Sequence, residues 1–318
     1  MVTLLMLGIN YLQKGGINKY IYVLIFSKEN NMDKIIVVNK EKDMTSRDVI
    51  NELCKIFDTK KIGHTGTLDP LAEGVLVVCI GKSTKLVDEL TSLDKEYVAE
   101  VVLGINTNTL DTTGDILDTK KTCISEKEID DVLKTFIGKY HMQVPLYSSI
   151  KINGKKLYEY ARNNIEIDLP YRDVEIFDIK RVSDVRYEDD KTIFKIKCHV
   201  SKGTYIRSLI RDIGLKFNTY GCMSMLTRTA QGKFKIEDSY KLSEIKNNNY
   251  KFVDIIDAID LPKVELDDKL YKKVINGNKL ENSFKFNKFC FIHNNELIAI
   301  YEIDEKDNNV VRPKKVFN

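Results

Sequence analysis

The sequence predicts an α+β fold that ends in a small β-rich segment. Strand-like stretches cluster before and after stretches of helical periodicity, without the regular alternation that a parallel βαβ sheet requires. No internal repeat is visible. Beyond Pro262 the chain consists of short strand-like stretches separated by Asn and Gly turns. This change in pattern indicates a second, smaller unit at the C-terminal end.

The composition is that of an ordinary globular chain with almost balanced charge. Of 318 residues, 43% are hydrophobic, and 50 Lys and Arg face 47 Asp and Glu for a net charge of +3. This balance neither demands nor excludes a nucleic-acid partner, because a basic patch can exist within a neutral total. The six cysteines form no C-x-x-C pair. They predict reduced thiols, a cytoplasmic location and no structural zinc site.

Residues 1–31 are predicted to be an N-terminal extension outside the fold. Their apolar patches, at 4–7 and 21–26, are shorter than the roughly 18 apolar residues of a membrane span. A basic start and a small-residue cleavage site, which mark a signal peptide, are missing. Met32 directly precedes the first strong strand pattern, so we expect it to be the natural start.

From residue 32 onwards, periodicity and capping patterns predict the elements in order. Capping boxes at Thr45 and Ser125 each open an amphipathic helix. Further helices are predicted at 83–90, 157–163 and 205–217. Strands are predicted at 35–39, 74–80, 97–103, 173–182 and 192–201. The segment 104–114 is too polar and glycine-bounded for anything but a loop, and 143–152 is expected to be extended.

The most informative stretch is the loop Gly63-His64-Thr65-Gly66-Thr67-Leu68-Asp69-Pro70-Leu71-Ala72-Glu73-Gly74, which leads directly into an apolar strand. A carboxylate in a loop braced by glycines and Pro70 can be held in one orientation. It can act as a nucleophile if a cation keeps it ionised. Arg207 is a candidate for that cation. The residues alone also allow a simple turn for the loop and an exposed helical position for Arg207.

Other motifs fail on spacing. Gly81-Lys82-Ser83-Thr84 follows a strand as in a phosphate-binding P-loop, but Leu76 stands where that motif needs a glycine. Nucleotide hydrolysis is therefore excluded, and Ser83 is explained as a helix cap. A Gly-X-Ser-X-Gly motif is absent, and the four histidines have no metal-binding spacing.

Five motifs, in this order along the chain, resemble those of the bacterial tRNA pseudouridine-55 synthases, the TruB-type family. They are Asn39-Lys40 with Met44-Thr45-Ser46, the run from Gly63 to Leu76, Lys95-Glu96-Tyr97, the segment from Gln143 to Lys155, and Ser201 to Leu209 together with Leu226-Thr227-Arg228-Thr229. The resemblance covers residues 35–235. It implies a pseudouridine-synthase catalytic domain over 32–260, built on a mixed, mainly antiparallel sheet flanked by helices. Residues 261–318 would form a small β-rich, PUA-like RNA-binding domain.

The same resemblance implies a role for each matching residue. Asp69 corresponds to the nucleophile, Arg207 to its partner, and Tyr97 to the tyrosine that packs on the flipped uracil and takes part in removal of the C5 proton. The substrate-binding residues implied by the resemblance are Tyr205 and Leu226 in the uridine pocket, His64 as the residue that enters the RNA loop, and Lys40 as a brace for the pocket. Two departures affect loop geometry: Glu41 replaces a proline, and the segment after Gln143 lacks a double proline.

The resemblance also implies partners. The substrate is the T-arm of tRNA, and we expect a monomer with no cofactor, no metal, no membrane association and no obligatory protein partner. Two alternatives remain: a tRNA-folding helper with secondary catalysis, and a guide-RNA-dependent synthase. The candidate phosphate contacts are Lys151, Lys155, Lys156, Arg162, Lys202 and Arg228, with the basic end Arg312, Lys314 and Lys315 either contacting RNA or forming a solvated tail.

Overall fold

A computed structural model describes residues 32–318 throughout and, before them, the backbone of two strands, β1 (Leu4–Asn10) and β2 (Tyr20–Phe26). These two strands pair with each other in antiparallel orientation. Residues 1–3, 11–19 and 27–31 lie outside the described residues. The prediction that residues 1–31 form an extension outside the fold falls largely on these three ranges, and it stays a prediction.

The remaining elements follow in chain order. The strands are β3 Lys34–Lys40, β4 Ile62–His64, β5 Glu73–Ile80, β6 Lys95–Leu103, β7 Ile105–Thr107, β8 Ile116–Thr119, β9 Gly138–Gln143, β10 Lys151–Ile152, β11 Lys155–Lys156, β12 Tyr171–Arg181, β13 Arg186–Glu188, β14 Lys191–Val200, β15 Gly221–Gln231, β16 Phe234–Lys235, β17 Lys263–Glu265, β18 Leu280–Glu281, β19 Lys288–His293, β20 Glu296–Asp304 and β21 Asp307–Val316. The α-helices are α1 Ser46–Ile56, α2 Val87–Thr91, α3 Glu126–Lys134, α4 Leu157–Arg162, α5 Ile206–Lys216, α6 Leu242–Lys246, α7 Ile255–Ala258 and α8 Asp268–Val274.

A large sheet with the strand order β3-β5-β15-β6-β14-β12-β9 forms the centre of the fold. Strands β5 and β15 are parallel, whereas the other neighbours along this path are antiparallel. Strands β4, β13 and β16 extend the sheet by pairing with β5, β14 and β15. The predicted mixed, mainly antiparallel sheet is thereby confirmed.

Strand β5 is apolar along its whole length because both of its faces are covered. Leu76 and Val78 belong to the core that the sheet forms with α1, α3 and α5. Val75, Val77 and Cys79 point the other way, into a core shared with the C-terminal part of the chain. A strand buried on both sides shows a continuous apolar run instead of alternation. Each fully buried aliphatic side chain contributes about 1.5–3 kcal/mol to folding.

Reciprocal hydrogen bonds fix the predicted helix starts. The Asp48 N–H donates to Thr45 Oγ1 at 3.1 Å, and the Thr45 N–H donates to Asp48 Oδ2 at 2.9 Å. Ser125 and Glu128 form the same capping box at the start of α3. Both predicted helices are confirmed.

Within the described ranges, no helix has the length and apolar character needed to cross a membrane.

Three local predictions need correction. The helix expected at 83–90 begins as a 3-10 helix over Gly81–Leu86 and becomes α-helical only in α2. The supposed loop 104–114 contains β7, which pairs with β8 because Ile105 and Thr107 alternate into buried positions. The segment 143–152 is in strand conformation only at Gln143, the last residue of β9, and in β10. Turns interrupt it between these points, including one in which the Ser148 N–H donates to Leu146 O at 3.0 Å.

The C-terminal β-rich unit is confirmed as a sheet with the strand order β17-β19-β20-β21-β18. Its basic end is paired within the chain: Lys314 lies 3.1 Å from Glu89, and Lys315 lies 3.1 Å from Asp88. Arg312 pairs with two glutamates of its own sheet. The alternative of a solvated tail is therefore wrong, because these residues lie on β21. Contact with RNA stays a prediction. Lys314 and Lys315 instead attach this sheet to helix α2.

Gly74 should be intolerant of any side chain. It has φ +99°, and a Cβ would lie 2.3 Å from the Arg228 carbonyl oxygen of the neighbouring strand. We predict that Gly74→Ala lowers the free energy of unfolding by about 4 kcal/mol, as strain and backbone overlap add. Urea denaturation measures this loss. Gly138→Ala is the matched control, because Gly138 has φ +109° and open space around it. Equal losses in the two variants would contradict the argument.

Candidate active site

The loop between β4 and β5 is fixed from beneath. Ser46, in the first turn of α1, accepts a hydrogen bond from the Leu68 N–H at 2.9 Å, and its hydroxyl lies 3.2 Å from the Leu68 carbonyl. The Thr65 N–H donates to Val77 O of β5 at 3.0 Å. With both ends of the loop tied to regular elements, the Asp69 side chain projects into a cleft of about 1470 Å³.

Arg228 holds the same loop from strand β15. Its Nε donates to Val75 O at 2.6 Å and its Nη2 donates to Gly66 O at 3.0 Å. Gln231, three residues further along β15, donates to Thr65 O and to Leu90 O near the end of α2. Arg228 is only 1% exposed. The prediction that it contacts RNA phosphates is therefore wrong, since its guanidinium is buried against loop carbonyls.

Asp69 and Arg207 are brought together as the sequence predicts. Arg207 Nη2 lies 2.9 Å from Asp69 Oδ2, with the arginine side chain 7% and the aspartate side chain 39% exposed. Arg207 comes from the first turn of α5, which packs against β15 and aims this side chain at the loop. The geometry gives a half-exposed carboxylate backed by a buried cation. Such a carboxylate is available to a ligand in the cleft while its charge is balanced from behind.

A second carboxylate, which the sequence did not single out, lies behind Arg207. Asp111 Oδ2 is 3.9 Å from Arg207 Nε, and Asp111 is buried. The hydroxyls of Thr109 and Thr113 donate to Asp111 Oδ1 at 2.8 and 2.6 Å. The only local signal was an aspartate flanked by hydroxyl residues in the run Thr109-Leu110-Asp111-Thr112-Thr113. Asp111 thus places a second carboxylate beside Arg207, near Nε, whereas Asp69 lies beside Nη2.

Tyr97, Leu226 and Tyr205 line the same cleft as Asp69 and Arg207. Tyr97 and Leu226 stand on the neighbouring strands β6 and β15 and are 8% and 6% exposed. Tyr205 immediately precedes α5, and burial raises the pKa of its phenol. The structure therefore gathers five of the seven predicted residues around one cleft with an apolar wall and a charged floor.

Lys40 lies beneath the loop and outside the lining of the cleft. It is fully buried, and its ammonium donates to Glu41 O at 2.9 Å, to Met44 O, and to Pro70 O at 3.5 Å. Burial lowers its pKa to about 8, partly opposed by the nearby Asp69 carboxylate. Lys40 therefore joins the loop after β3 to the residue that follows Asp69, which agrees with a bracing role.

His64 is not brought into the cleft with the others. It stands on β4, and its Nδ1 accepts a hydrogen bond from the Gly66 N–H at 3.4 Å. Burial, helped by the charges of Arg228 and Arg47, lowers the pKa of the imidazole. The ring is turned towards its own loop. Its predicted insertion into RNA stays a prediction.

One of the residues predicted to contact RNA phosphates lies at the cleft. Lys202 lines it, whereas four other predicted phosphate contacts lie outside its lining: Lys151, Lys155, Lys156 and Arg162. Across residues 32–318, no group of three or more His, Cys, Asp or Glu side chains is placed to hold a metal ion. The expectation that no metal or cofactor is required stays a prediction.

The buried ammonium of Lys40 predicts a pH-dependent stability. Its pKa is about 8 in the folded chain against 10.5 for an exposed lysine, so between these values the unfolded state binds more protons. The free energy of unfolding must then rise with pH across this window, and below pH 8 the fold carries the full cost of the buried charge. We predict that wild type gains stability relative to Lys40→Met between pH 7 and 10.

Urea denaturation at each pH measures this difference. Lys42→Met provides the control, because Lys42 is exposed and its loss should leave the pH profile parallel to that of wild type. Parallel profiles for wild type and Lys40→Met would contradict the lowered pKa of Lys40.

Comparisons with known proteins agree with this geometry. Residues 54–206 match the family described as TruB family pseudouridylate synthase (N terminal domain). The tRNA pseudouridine synthase B of Staphylococcus aureus strain JH9 is 41% identical over 302 residues, which cover 89% of this chain and 99% of that protein. The synthase of strain Newman has the same identity and coverage.

Solved structures share the fold over a similar length. A chain of a Cbf5-Nop10-Gar1 complex is 26% identical with a TM-score of 0.67, covering 90% of this chain and 85% of its own. A chain of an H/ACA RNP bound to a substrate RNA containing 2'-deoxyuridine is 24% identical with a TM-score of 0.65 and the same coverage, which shows the fold alone. With 41% identity to a relative across nearly its whole length, the chain belongs to the TruB family of pseudouridylate synthases.

Proposed function

We propose that this chain converts uridine to pseudouridine at position 55 in the T-loop of tRNA, acting as a monomer without an obligatory protein partner. The observation that carries the proposal is the half-exposed Asp69 carboxylate, 2.9 Å from buried Arg207, in a cleft that Tyr97 also lines. Family membership supports the reaction type. The S. aureus relative, which is named a tRNA pseudouridine synthase, supports the substrate class.

The reaction needs only groups that the cleft supplies. The bond between uracil N1 and ribose C1′ breaks, the ring turns, and a bond from C5 to C1′ forms. The C5 hydrogen leaves as a proton and N1 gains a proton, so the atoms balance without oxidation, reduction or net hydrolysis. We therefore propose that the enzyme uses no cofactor and no metal.

Asp69 is the proposed nucleophile, and Arg207 is the cation that pairs with it and orients it. A carboxylate can attack ribose C1′ or the base, or first promote formation of a glycal, and each route uses the same group. Tyr97 is proposed to pack on the uracil ring and to take part in removal of the C5 proton. Its position on β6, buried beside Leu226, supports contact with a planar ring.

The reacting uridine must leave its RNA loop to reach Asp69. Extrusion of a base costs on the order of a few kcal/mol, which contacts in the cleft have to offset. Tyr205 and Leu226 are proposed to enclose the flipped nucleotide, and Lys40 to hold the Asp69 loop in place. His64 is proposed to fill the gap left in the RNA, for which its ring must give up its hydrogen bond with the Gly66 N–H.

An assay of pseudouridine formation with the purified chain and unmodified tRNA separates this proposal from its alternatives, because a stand-alone enzyme is active without any addition. A tRNA-folding helper would bind tRNA, and its main role would survive loss of the nucleophile. A guide-RNA-dependent synthase would be inactive until a guide RNA and accessory proteins are added. The greater identity to the S. aureus synthase than to the Cbf5 complex favours the stand-alone enzyme.

All six cysteines are free thiols, which supports a cytoplasmic location.

We predict that Asp69→Asn lowers turnover by about 10³-fold or more while tRNA affinity stays within a few-fold of wild type, because only the attacking charge is removed. Release of tritium from T-arm RNA labelled at uracil C5 measures turnover, and filter binding measures affinity. Retained turnover would rule out Asp69 as the nucleophile. An inactive wild type would rule out the stand-alone enzyme.

We predict that Asp111→Asn lowers turnover by about 10- to 100-fold, because it loosens the orientation of Arg207 without removing any group that touches substrate. The same tritium assay measures the effect under single-turnover conditions. Asp118→Asn is the control, since Asp118 lies in the same hairpin but is exposed and contacts Tyr220. Equal activities of the two variants would contradict a positioning role for Asp111.

A further inference from the structure

Two aromatic rings are stacked in solvent at the rim of the cleft, and the proposed reaction uses neither. His141 on β9 and Tyr171 at the start of β12 have ring centroids 4.8 Å apart and planes within 5° of parallel. Tyr171 is 56% exposed, and the His141 side chain is 65% exposed. We call this pair the rim stack. Its rings contribute little to any hydrophobic core, so its function must be sought outside folding.

The sheet register holds the rim stack in shape. His141 and Asp173 face each other across the antiparallel pair β9–β12, and Tyr171 lies two residues from Asp173 on the same face. His141 Nδ1 is hydrogen-bonded to Asp173 Oδ1 at 2.7 Å. The carboxylate therefore fixes the plane of the imidazole, and the imidazole fixes the plane of the phenol. A preset ring surface loses little conformational entropy when a third ring joins it.

The position of the rim stack indicates what that third ring is. His141, Arg172 and Asp173 line the same cleft as Asp69. Lys139 also lines it, so a cation lies close in sequence to each ring: Lys139 near His141, and Arg172 next to Tyr171. The acidic Asp173 beside the rings disfavours a phosphate at that point, whereas the neutral face of a base is compatible with it. Single-stranded nucleic acids are commonly bound by stacking of bases on exposed aromatic side chains.

We propose that the rim stack binds a second base of the substrate RNA, a loop nucleotide next to the one that enters the cleft. This proposal rests on the proposed function. When the reacting uridine is extruded, its neighbours lose a stacking partner. A base that continues the stack of Tyr171 and His141 regains that interaction outside the cleft. The rim stack therefore supports binding of the opened loop and takes no part in the bond changes.

The test measures affinity and chemistry separately. T-arm hairpin RNA is titrated against wild type, Tyr171→Ala and Tyr171→Phe, and single-turnover rates are measured at saturating RNA. We expect Tyr171→Ala to weaken binding about 10-fold, Tyr171→Phe to bind within twofold of wild type, and the saturated rate to be unchanged. Tyr187→Ala is the control. Tyr187 is 52% exposed, but neither it nor its chain neighbours line the cleft, whereas Tyr171 stacks on His141, which does line it.

A set of hairpins, each with one loop nucleotide made abasic, identifies the stacked base. At one position next to the target, loss of the base should weaken wild-type binding and abolish the difference between wild type and Tyr171→Ala. If Tyr171→Ala binds as wild type does, or if its defect persists with every abasic hairpin, the rim stack does not hold a base and the proposal is wrong. Failure of the proposed function itself would appear differently, as absence of pseudouridine formation by wild type.

Discussion

A buried guanidinium is the constraint on which the arrangement of this cleft depends. Arg207 must satisfy its N–H groups away from water, and it does so with groups from three separate loops. Nη1 and Nη2 donate to the carbonyls of Thr109 and Tyr147 at 3.0 Å each. Asp69 Oδ2 lies 2.9 Å from Nη2, and Asp111 Oδ2 lies 3.9 Å from Nε. Breaking one of these contacts removes part of the compensation of a buried charge. The loops therefore have one mutually consistent position, and it places the Asp69 carboxylate in the cleft.

The sheet supplies the rigid frame for these loops. Strand β5 is buried on both faces, against the helices on one side and the C-terminal sheet on the other. This fixes the point from which the Asp69 loop departs. Gly74 lets the backbone of β15 approach at that point, and Arg228 from β15 returns to hold Gly66. The C-terminal sheet thus supports the cleft from behind, and it is attached through the apolar core that it shares with β5 and through the ion pairs between β21 and α2.

Two buried lysines hold loops on either side of the cleft. Lys40 donates to the carbonyl of Pro70 beside Asp69, and Lys95 donates to Thr91 O at 2.6 Å, at the end of α2. Burial lowers the pKa of each to about 8. An ammonium group that loses hydration in this way is retained because it bonds several carbonyls that would otherwise be unpaired. Both lysines therefore act on the geometry of the cleft; Lys95 also lines it, whereas Lys40 lies outside the lining.

The sequence by itself determined the features that depend on neighbours in the chain. The capping boxes at Thr45 and Ser125, the apolar strand β5, the β-rich C-terminal unit and the motif residues Asp69 and Arg207 were all predicted. Periodicity, caps and glycine-bounded loops are local, so one stretch of chain suffices to identify them. A family resemblance then assigned those residues a chemistry that spacing alone left open.

Only the tertiary structure decided which side chains share a site. Arg228 and Gly66 are 162 residues apart in the chain, and nothing near either predicts their hydrogen bond. The burial of Asp111 behind Arg207, the position of His64 outside the cleft and the stack of His141 on Tyr171 likewise depend on strand register between distant segments. A sequence specifies which groups a segment offers. Packing of the sheet decides which of them meet, because contacts across it are set by the whole fold.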